Sequence, residues 1–385
     1  ASAHRTVEEL HLLARLVRGL GSESIDTRTR HADFGNTAAA GKARWLGTSI
    51  ASLSGLERAF VIGSFLRKDH PLFSLRIRQA VRKGGALLSL NAVQDDWAMP
   101  VANAIVTDAF AWAQTLADLA VAIAAEKGLP APCAGTASAA VQAMAKSLLG
   151  GERKALLLGN AAAHHGNAST LLALANWIAE QTGASVGYLT EAANTVGAQW
   201  VGAQPQTGGK HAGQMLAGGL KAAVLLNTEP EFDSAAGAAA AKALGQAEMV
   251  VTLSPFKANM AFSDVLLPIA PFTETSGSFV NAEGRLQSFH AVVKPLAETR
   301  PAWKVLRVLA NLLDIPGVSF ETSQDVLARA TAQPLVASSA TRSAINLSGT
   351  TTPAPSVASI YQLDGIVRRA PSLQLTADAR QEVTP

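Results

Sequence analysis

Short apolar runs recur at 59–62, 86–90, 155–158, 223–226, 249–253 and 265–267, each too brief for a core helix. Runs of this length, without polar alternation, read as strands buried on both faces. Several are followed by a turn and an amphipathic stretch. Leu171, Leu174, Ala175 and Ile178, for instance, fall on one helical face that Gly183 closes. Buried strands separated by helical segments predict an α/β protein built on parallel sheets with crossover helices on both faces. A chain of 385 residues exceeds what one hydrophobic core organises, so two lobes are expected.

The helices carry their own signatures. Thr6-Val7-Glu8-Glu9 is a capping box, in which the Thr6 hydroxyl and the Glu9 carboxylate each satisfy a backbone N–H. Leu10, Leu13, Ala14 and Val17 form the apolar face of the helix it starts, and Gly19 and Gly21 stop it. Pro301 suits a first helical turn, with Leu306, Leu309, Ala310 and Leu313 as the buried face before Pro316-Gly317. From about Ser319 the sequence turns to Ser, Thr, Ala and Pro, and Thr351-Thr352-Pro353-Ala354-Pro355 is its most linker-like piece. That composition predicts an extended or surface-wrapping tail whose removal leaves the melting of the lobes unchanged.

Composition removes several function classes. Mean hydropathy is +0.19, yet no apolar run reaches a spanning length, and the most apolar helical stretch, 109–125, is interrupted by Gln114 and Asp118. A formal net charge of +3 is too small for a nucleic-acid footprint. The single Cys133 excludes a disulfide framework and any all-cysteine zinc or iron–sulfur site within these residues. The chain opens Ala1-Ser2-Ala3 without a Met and without a charged-then-apolar leader, as expected of a processed or excised segment.

Local motifs have bland readings. Gly208-Gly209-Lys210-His211 fails as a phosphate loop, because Gln204 stands where a Gly belongs and His211 where a Ser or Thr belongs. His164-His165 are adjacent imidazoles that point apart, with no carboxylate or further His at ligand spacing, and suit a turn after the 155–158 strand. Cys133 has no neighbouring base and reads as a loop residue. Glu229, Glu231 and Asp233 form an acid/base group or a solvated turn, and Pro230 favours the turn. The basic run Arg67, Lys68, Arg76, Arg78, Arg82 and Lys83 reads as a solvated helix face, with contact to an acidic partner or a phosphate as the alternative.

One segment is hard to explain by packing. Residues 268–287 read PIAPFTETSGSFVNAEGRLQ after SDVLLP. This closely resembles the molybdopterin oxidoreductase superfamily, where ADVVLP and then E-x-x-GT-x-x-N-x-EGR-x-Q close one cofactor-binding lobe. Asp264, Pro268, Glu274, Gly277, Asn281, Glu283, Gly284, Arg285 and Gln287 fit that pattern. Ile62-Gly63-Ser64 with Pro71 resembles the family's strand-end G-S-N-P loop, and 225–233 its counterpart in the second lobe. The finer resemblance is to the large iron–sulfur subunits of respiratory complex I, the NADH-quinone oxidoreductase. It is carried by Asn194-Thr195-Val196-Gly197-Ala198, Asn227-Thr228-Glu229-Pro230-Glu231 and 361–374.

The departures are as informative. In metal-binding members an Asp is followed after four residues by Arg and after six by Cys, selenocysteine or Ser. This sequence has Asp26, Arg30 and then Ala32, whose methyl group cannot coordinate a metal. Phe65 and Leu66 replace the amide and the proline of the strand-end loop.

The resemblance therefore implies an α/β fold of two interleaved Rossmann-like lobes of the formate dehydrogenase-like type. Residues 1–31 with 151–318 would form a discontinuous lobe, 32–150 an inserted lobe and 319–385 the tail. It implies a redox-inert structural portion of the large subunit, with no catalytic residue, cofactor or metal of its own. Gly63, Ser64, Asn227 and Thr228 would remain as a vestigial cofactor cleft, and the iron–sulfur clusters would belong to an absent N-terminal part. The implied partners are other hydrophilic-arm subunits of complex I, without nucleic acid or a direct membrane span. The implied location is the cytoplasmic side of a bacterial inner membrane, or the matrix side in mitochondria. The alternative is a catalytic fragment of a molybdopterin-dependent oxidoreductase of the formate dehydrogenase or nitrate reductase type. A nicotinamide dehydrogenase would lack its GxGxxG cradle.

Overall fold

The computed structural model describes residues 1–35, 42–339, 344–347 and 358–381, so the linker-like 351–355 lies outside the described residues. The capping box at Thr6 is made in full, with both the Thr6 side chain and the Glu9 carboxylate engaged, and it starts α1, Val7–Gly19. Five parallel strands follow: β1 Arg58–Ile62, β2 Ala86–Asn91, β3 Asn103–Val106, β4 Lys154–Leu158 and β5 Ser185–Tyr188, in the spatial order β3-β2-β1-β4-β5. Helices α2 Pro71–Arg82, α3 Trp112–Lys127, α4 Ala139–Leu149, α5 Asn160–His164 and α6 Ala168–Thr182 join them. Gly183 caps α6 in the left-handed conformation, as its sequence position suggests.

The expected lobe boundary at 150/151 does not part the two sheets. β4 pairs along its whole length with β1, from Arg58 against Lys154 to Ile62 against Leu158. The physical reason is burial: every residue of β4 is buried, so the strand needs neighbours on both edges and layers on both faces. β3 and β5 are the sheet's edges and are not among the strands expected from the sequence; β3 carries only the short run Ala104-Ile105-Val106, at alternating half-buried and exposed positions, and β5 is interrupted by Gly187.

The second sheet has three parallel strands, β6 Ala222–Leu226, β7 Met249–Ser254 and β8 Val265–Pro268, in sequence order. An antiparallel hairpin, β9 Gly277–Val280 with β10 Leu286–Phe289, follows it. This hairpin is the EGR segment, and α1 braces it: a Cβ on Gly277 would stand 2.4 Å from the Thr6 methyl. The Ser278 N–H donates to the Glu8 carboxylate, and the Val280 N–H donates to Asn194 Oδ1. Glu283 accepts from the Ile50 N–H, tying the turn to the first lobe.

α7, Ala302–Leu312, and α8, Ser323–Ala330, complete the second lobe. Leu10, Leu13, Leu226, Leu253, Trp303, Leu306 and Val326 share one core. The part of the chain just after 319 enters this core, because Val326 is fully buried on a helix with its own capping box at Thr322. Val336 and Ala337 pair in parallel with Lys42 and Ala43. Among the described residues no helix is long and apolar enough to cross a membrane.

Candidate functional site between the two sheets

In an open parallel sheet the ligand crevice lies beyond the carboxyl ends of the strands where the strand order reverses. Here that point is between β1 and β4. Gly63 follows β1 at φ +63°, and a Cβ there would stand 2.7 Å from both the Trp112 ring and the Ala162 nitrogen. The position accepts glycine alone. Ser64 is buried and donates its hydroxyl to Asp69. β6 ends in the same direction, with Asn227 at φ +48° and Thr228 buried under it. A cavity of about 360 Å³ lies between the two strand-end regions. Asn227 and Thr228 line it, together with Arg30, Asn160, His164 and Glu191; Gly63 and Ser64 do not. Of the four residues expected to form a cleft, the structure brings two to the cavity.

The turn reading of His164 needs correction. His164 ends α5 and its Nε2 shares a hydrogen bond with a Glu191 carboxylate oxygen just beyond β5. His31, from the loop after α1, shares a hydrogen bond of 3.2 Å with the other Glu191 oxygen. The ligand atoms of these three residues lie within 4.8 Å of one another. Burial alone would raise the Glu191 carboxyl, but the two imidazoles hold it well below the usual carboxylate range. Burial pushes His31 down. His165 does point away, sharing a hydrogen bond with the Ala109 carbonyl.

Glu229 and Asp233 also depart from the solvated turn. Arg369 donates two hydrogen bonds to Glu229, of 2.8 and 2.9 Å, and Arg368 pairs with Asp233. The same guanidinium groups lie over aromatic rings, Arg368 over Phe232 and Arg369 over Phe256. Both arginines belong to a C-terminal segment, 358–375, whose Leu363, Gly365 and Arg368 form part of the cavity wall. Burial pushes the Asp233 carboxyl up.

The remaining candidates are dispersed. Asp26 is buried and Arg28 clamps it, which holds its carboxyl below the usual range against the opposing effect of burial. Ala32 is exposed beside His31. His211 caps the short helix Ala212–Leu216 and stacks on Phe34 at 3.8 Å between ring centroids. Cys133 is half-buried, and burial pushes its thiol up, away from nucleophile character. Arg67 pairs with Asp96, while Arg78, Arg82 and Lys83 are exposed on or just after α2.

The sequence model of the family described as molybdopterin oxidoreductase matches residues 1–312. The chain is 28% identical over 356 residues to the G subunit of the NADH-quinone oxidoreductase of Streptomyces coelicolor, covering 80% of this chain and 42% of that protein. It is 43% identical over 54 residues to the mitochondrial NADH-ubiquinone oxidoreductase 78 kDa subunit of Candida albicans, 14% of this chain and 8% of that one. It is 44% identical over 52 residues to a putative formate dehydrogenase of Staphylococcus aureus, 14% of this chain and 5% of that one. The chain thus spans less than half the length of these relatives. Among solved structures, one chain of the formyltransferase/hydrolase complex of Methylorubrum extorquens shares the fold. The TM-score is 0.58 at 22% identity, covering 83% of this chain and 91% of that one.

Proposed function

The chain belongs to the molybdopterin oxidoreductase family, and from that premise we propose that it is a redox-inert, structural part of the large iron–sulfur subunit of a complex I. The observation that carries this reading is the state of the cleft. The strand-end loop of the second lobe presents Glu229 and Asp233, and Arg368 and Arg369 of the C-terminal segment already neutralise them. The family's pterin is carried on phosphates, and guanidinium groups already committed to carboxylates are not available to hold them. Ala32, at the metal-ligand position of the resemblance, offers a methyl group without a lone pair. A cavity of about 360 Å³ is also at the small end of the roughly 300–1,000 Å³ typical of drug-sized ligands. The residues present do not fit a molybdenum or tungsten pterin.

In this reading the iron–sulfur clusters that carry electrons from NADH toward quinone belong to other parts of the large subunit and its complex. The hairpin Gly277–Phe289, held by α1 and Asn194, serves as bracing. α2 exposes Leu72 and Leu75 beside Arg78 and Arg82, a surface suited to other subunits of the hydrophilic arm. Its place would be the peripheral arm on the cytoplasmic side of a bacterial inner membrane, or on the matrix side in mitochondria.

Elemental and pterin analysis tests this. Molybdenum and tungsten are expected far below one per chain, both in the isolated 385-residue chain and in its native assembly. One equivalent of either metal together with a pterin would overturn the reading and establish a catalytic fragment, the alternative that the short match to a putative formate dehydrogenase favours.

A further inference from the structure

We propose that His31, His164 and Glu191 form a site for a divalent transition metal of the zinc class, at the carboxyl edge of the five-stranded sheet. Two imidazoles and one carboxylate are a ligand set that suits Zn²⁺ and leaves a further position open. One pair of ligand atoms already has nearly the spacing an ion requires. Metal–ligand bonds of about 2.0–2.2 Å at tetrahedral angles set ligand atoms about 3.3–3.6 Å apart; His31 Nε2 lies 3.2 Å from Glu191 Oε1, while His164 Nε2 stands closer to Glu191 Oε2 and would move outward as an ion enters. Both Nε2 atoms converge on one carboxylate, and the two rings meet edge to face at 5.1 Å.

The ligands come from three separate pieces of chain: the loop after α1, the last residue of α5, and the turn beyond β5. Sheet and helix ends fix two of them, as a preformed site needs. The open side faces the cavity between the sheets, which His164 and Glu191 help to line. Asn160 lines it too, one helical turn before His164 on the same face of α5. The buried Oδ1 of Asn160 has no hydrogen-bond partner, so a bound ion, directly or through a coordinated water, would satisfy it. Zinc is not redox-active, so the site is compatible with an inert scaffold. It does not depend on that reading, because its test measures a different metal without a pterin. The ion would clip the N-terminal segment to the larger lobe.

The competing account is a His–Glu–His hydrogen-bonded unit complete without an ion. The two accounts separate in a titration of the chelator-treated 385-residue chain with Zn²⁺ against a chromophoric chelator, and with Co²⁺ followed by visible absorption. The expected result is one equivalent bound, Co²⁺ bands without a sulfur charge-transfer feature, and a melting temperature that rises with free Zn²⁺. His31→Gln and His164→Gln should each weaken binding by about a hundredfold, since even outer-shell partners typically account for ten- to a hundredfold. Cys133→Ser should bind as the parent does. If a histidine variant fails to fold, Glu191→Gln, which keeps the side-chain shape, decides by the same titration. Absence of saturable binding, or affinity unchanged in the folded variants, overturns the site.

Discussion

The two sheets differ in how far each can stand alone. β2 and β4 are buried along almost their whole length, and the helices that cover them arise between residues 71 and 182, inside the same stretch of chain. The three-stranded sheet is thinner. Met249 and Val265 at its strand starts are 48% and 39% exposed, and much of its cover comes from α1 near one end of the chain and from α7 and α8 near the other. The first lobe therefore closes on local sequence, whereas the second closes only when distant segments are in place. Contacts between distant segments bear a larger loop-closure cost, which makes the smaller lobe the natural site of partial opening.

A matched pair of core truncations should expose that difference most strongly. Leu157 sits fully buried in β4, and Leu157→Ala should lower stability by about 2–5 kcal/mol through lost burial and the cavity left behind. Val251 lies in β7, the central strand of the smaller sheet, but is only half-buried, so Val251→Ala should cost about 1 kcal/mol or less. Urea denaturation of the two variants measures both. Equal costs would mean that the smaller sheet is as tightly closed as the larger one.

The same contrast governs what could be read from sequence. The apolar runs located β1, β2, β4, β6, β7 and β8 because each carries at least three consecutive apolar residues; β1, β2 and β4 are buried along most of their length, whereas β6 and β8, the edges of the smaller sheet, are partly exposed. Of the edge strands of the larger sheet, β5 is broken by Gly187, and β3 offers only the short run Ala104-Ile105-Val106 at half-buried and exposed positions, so neither stood out in the sequence. The capping box at Thr6 was legible because all its partners lie within four residues. The EGR segment was recognisable only by resemblance, and its role as a hairpin braced on Thr6, Glu8 and Asn194 needed the fold. The site was less legible still. Glu191 meets His31 across 160 positions, and Arg369 meets Glu229 across 140. Adjacent histidines and a carboxylate turn look ordinary in isolation, and only tertiary placement gives them partners.

The C-terminal segment provides the next, smaller test. Its composition suggests a dispensable tail, but Val326 is fully buried against the second lobe. Val326→Ala should cost roughly 2 kcal/mol, in the range of large-to-small core changes, and ending the chain at residue 318 should cost more. Hydrogen exchange would locate the loss: amides of α1 and α7 should exchange faster, while β1 and β4 keep their protection. Melting unchanged by the truncation would return the segment to the status of a wrapping, and the second lobe would then close without borrowing from it.

The smallest effect concerns acid. His11 lies on α1 with its Nε2 buried and without a hydrogen-bond partner. Burial, then the charges of Arg15, Arg329 and Arg18, push its pKa down to about 4. Unfolded, the imidazole titrates near 6.5. Above pH 6.5 it is neutral in both states and contributes no dependence on pH. As pH falls from 6.5 toward 4, the unfolded chain takes up a proton that the folded chain refuses, so stability is lost across that window. Below 4 both forms are protonated and the loss levels off. Because Arg329 belongs to α8 and the others to α1, the weakening falls on the lobe closed by the chain ends. His11→Gln should therefore lose less melting temperature than the parent between pH 7 and pH 5. Parallel losses would show that another group sets the acid sensitivity and that this helix contact does not distinguish the two lobes.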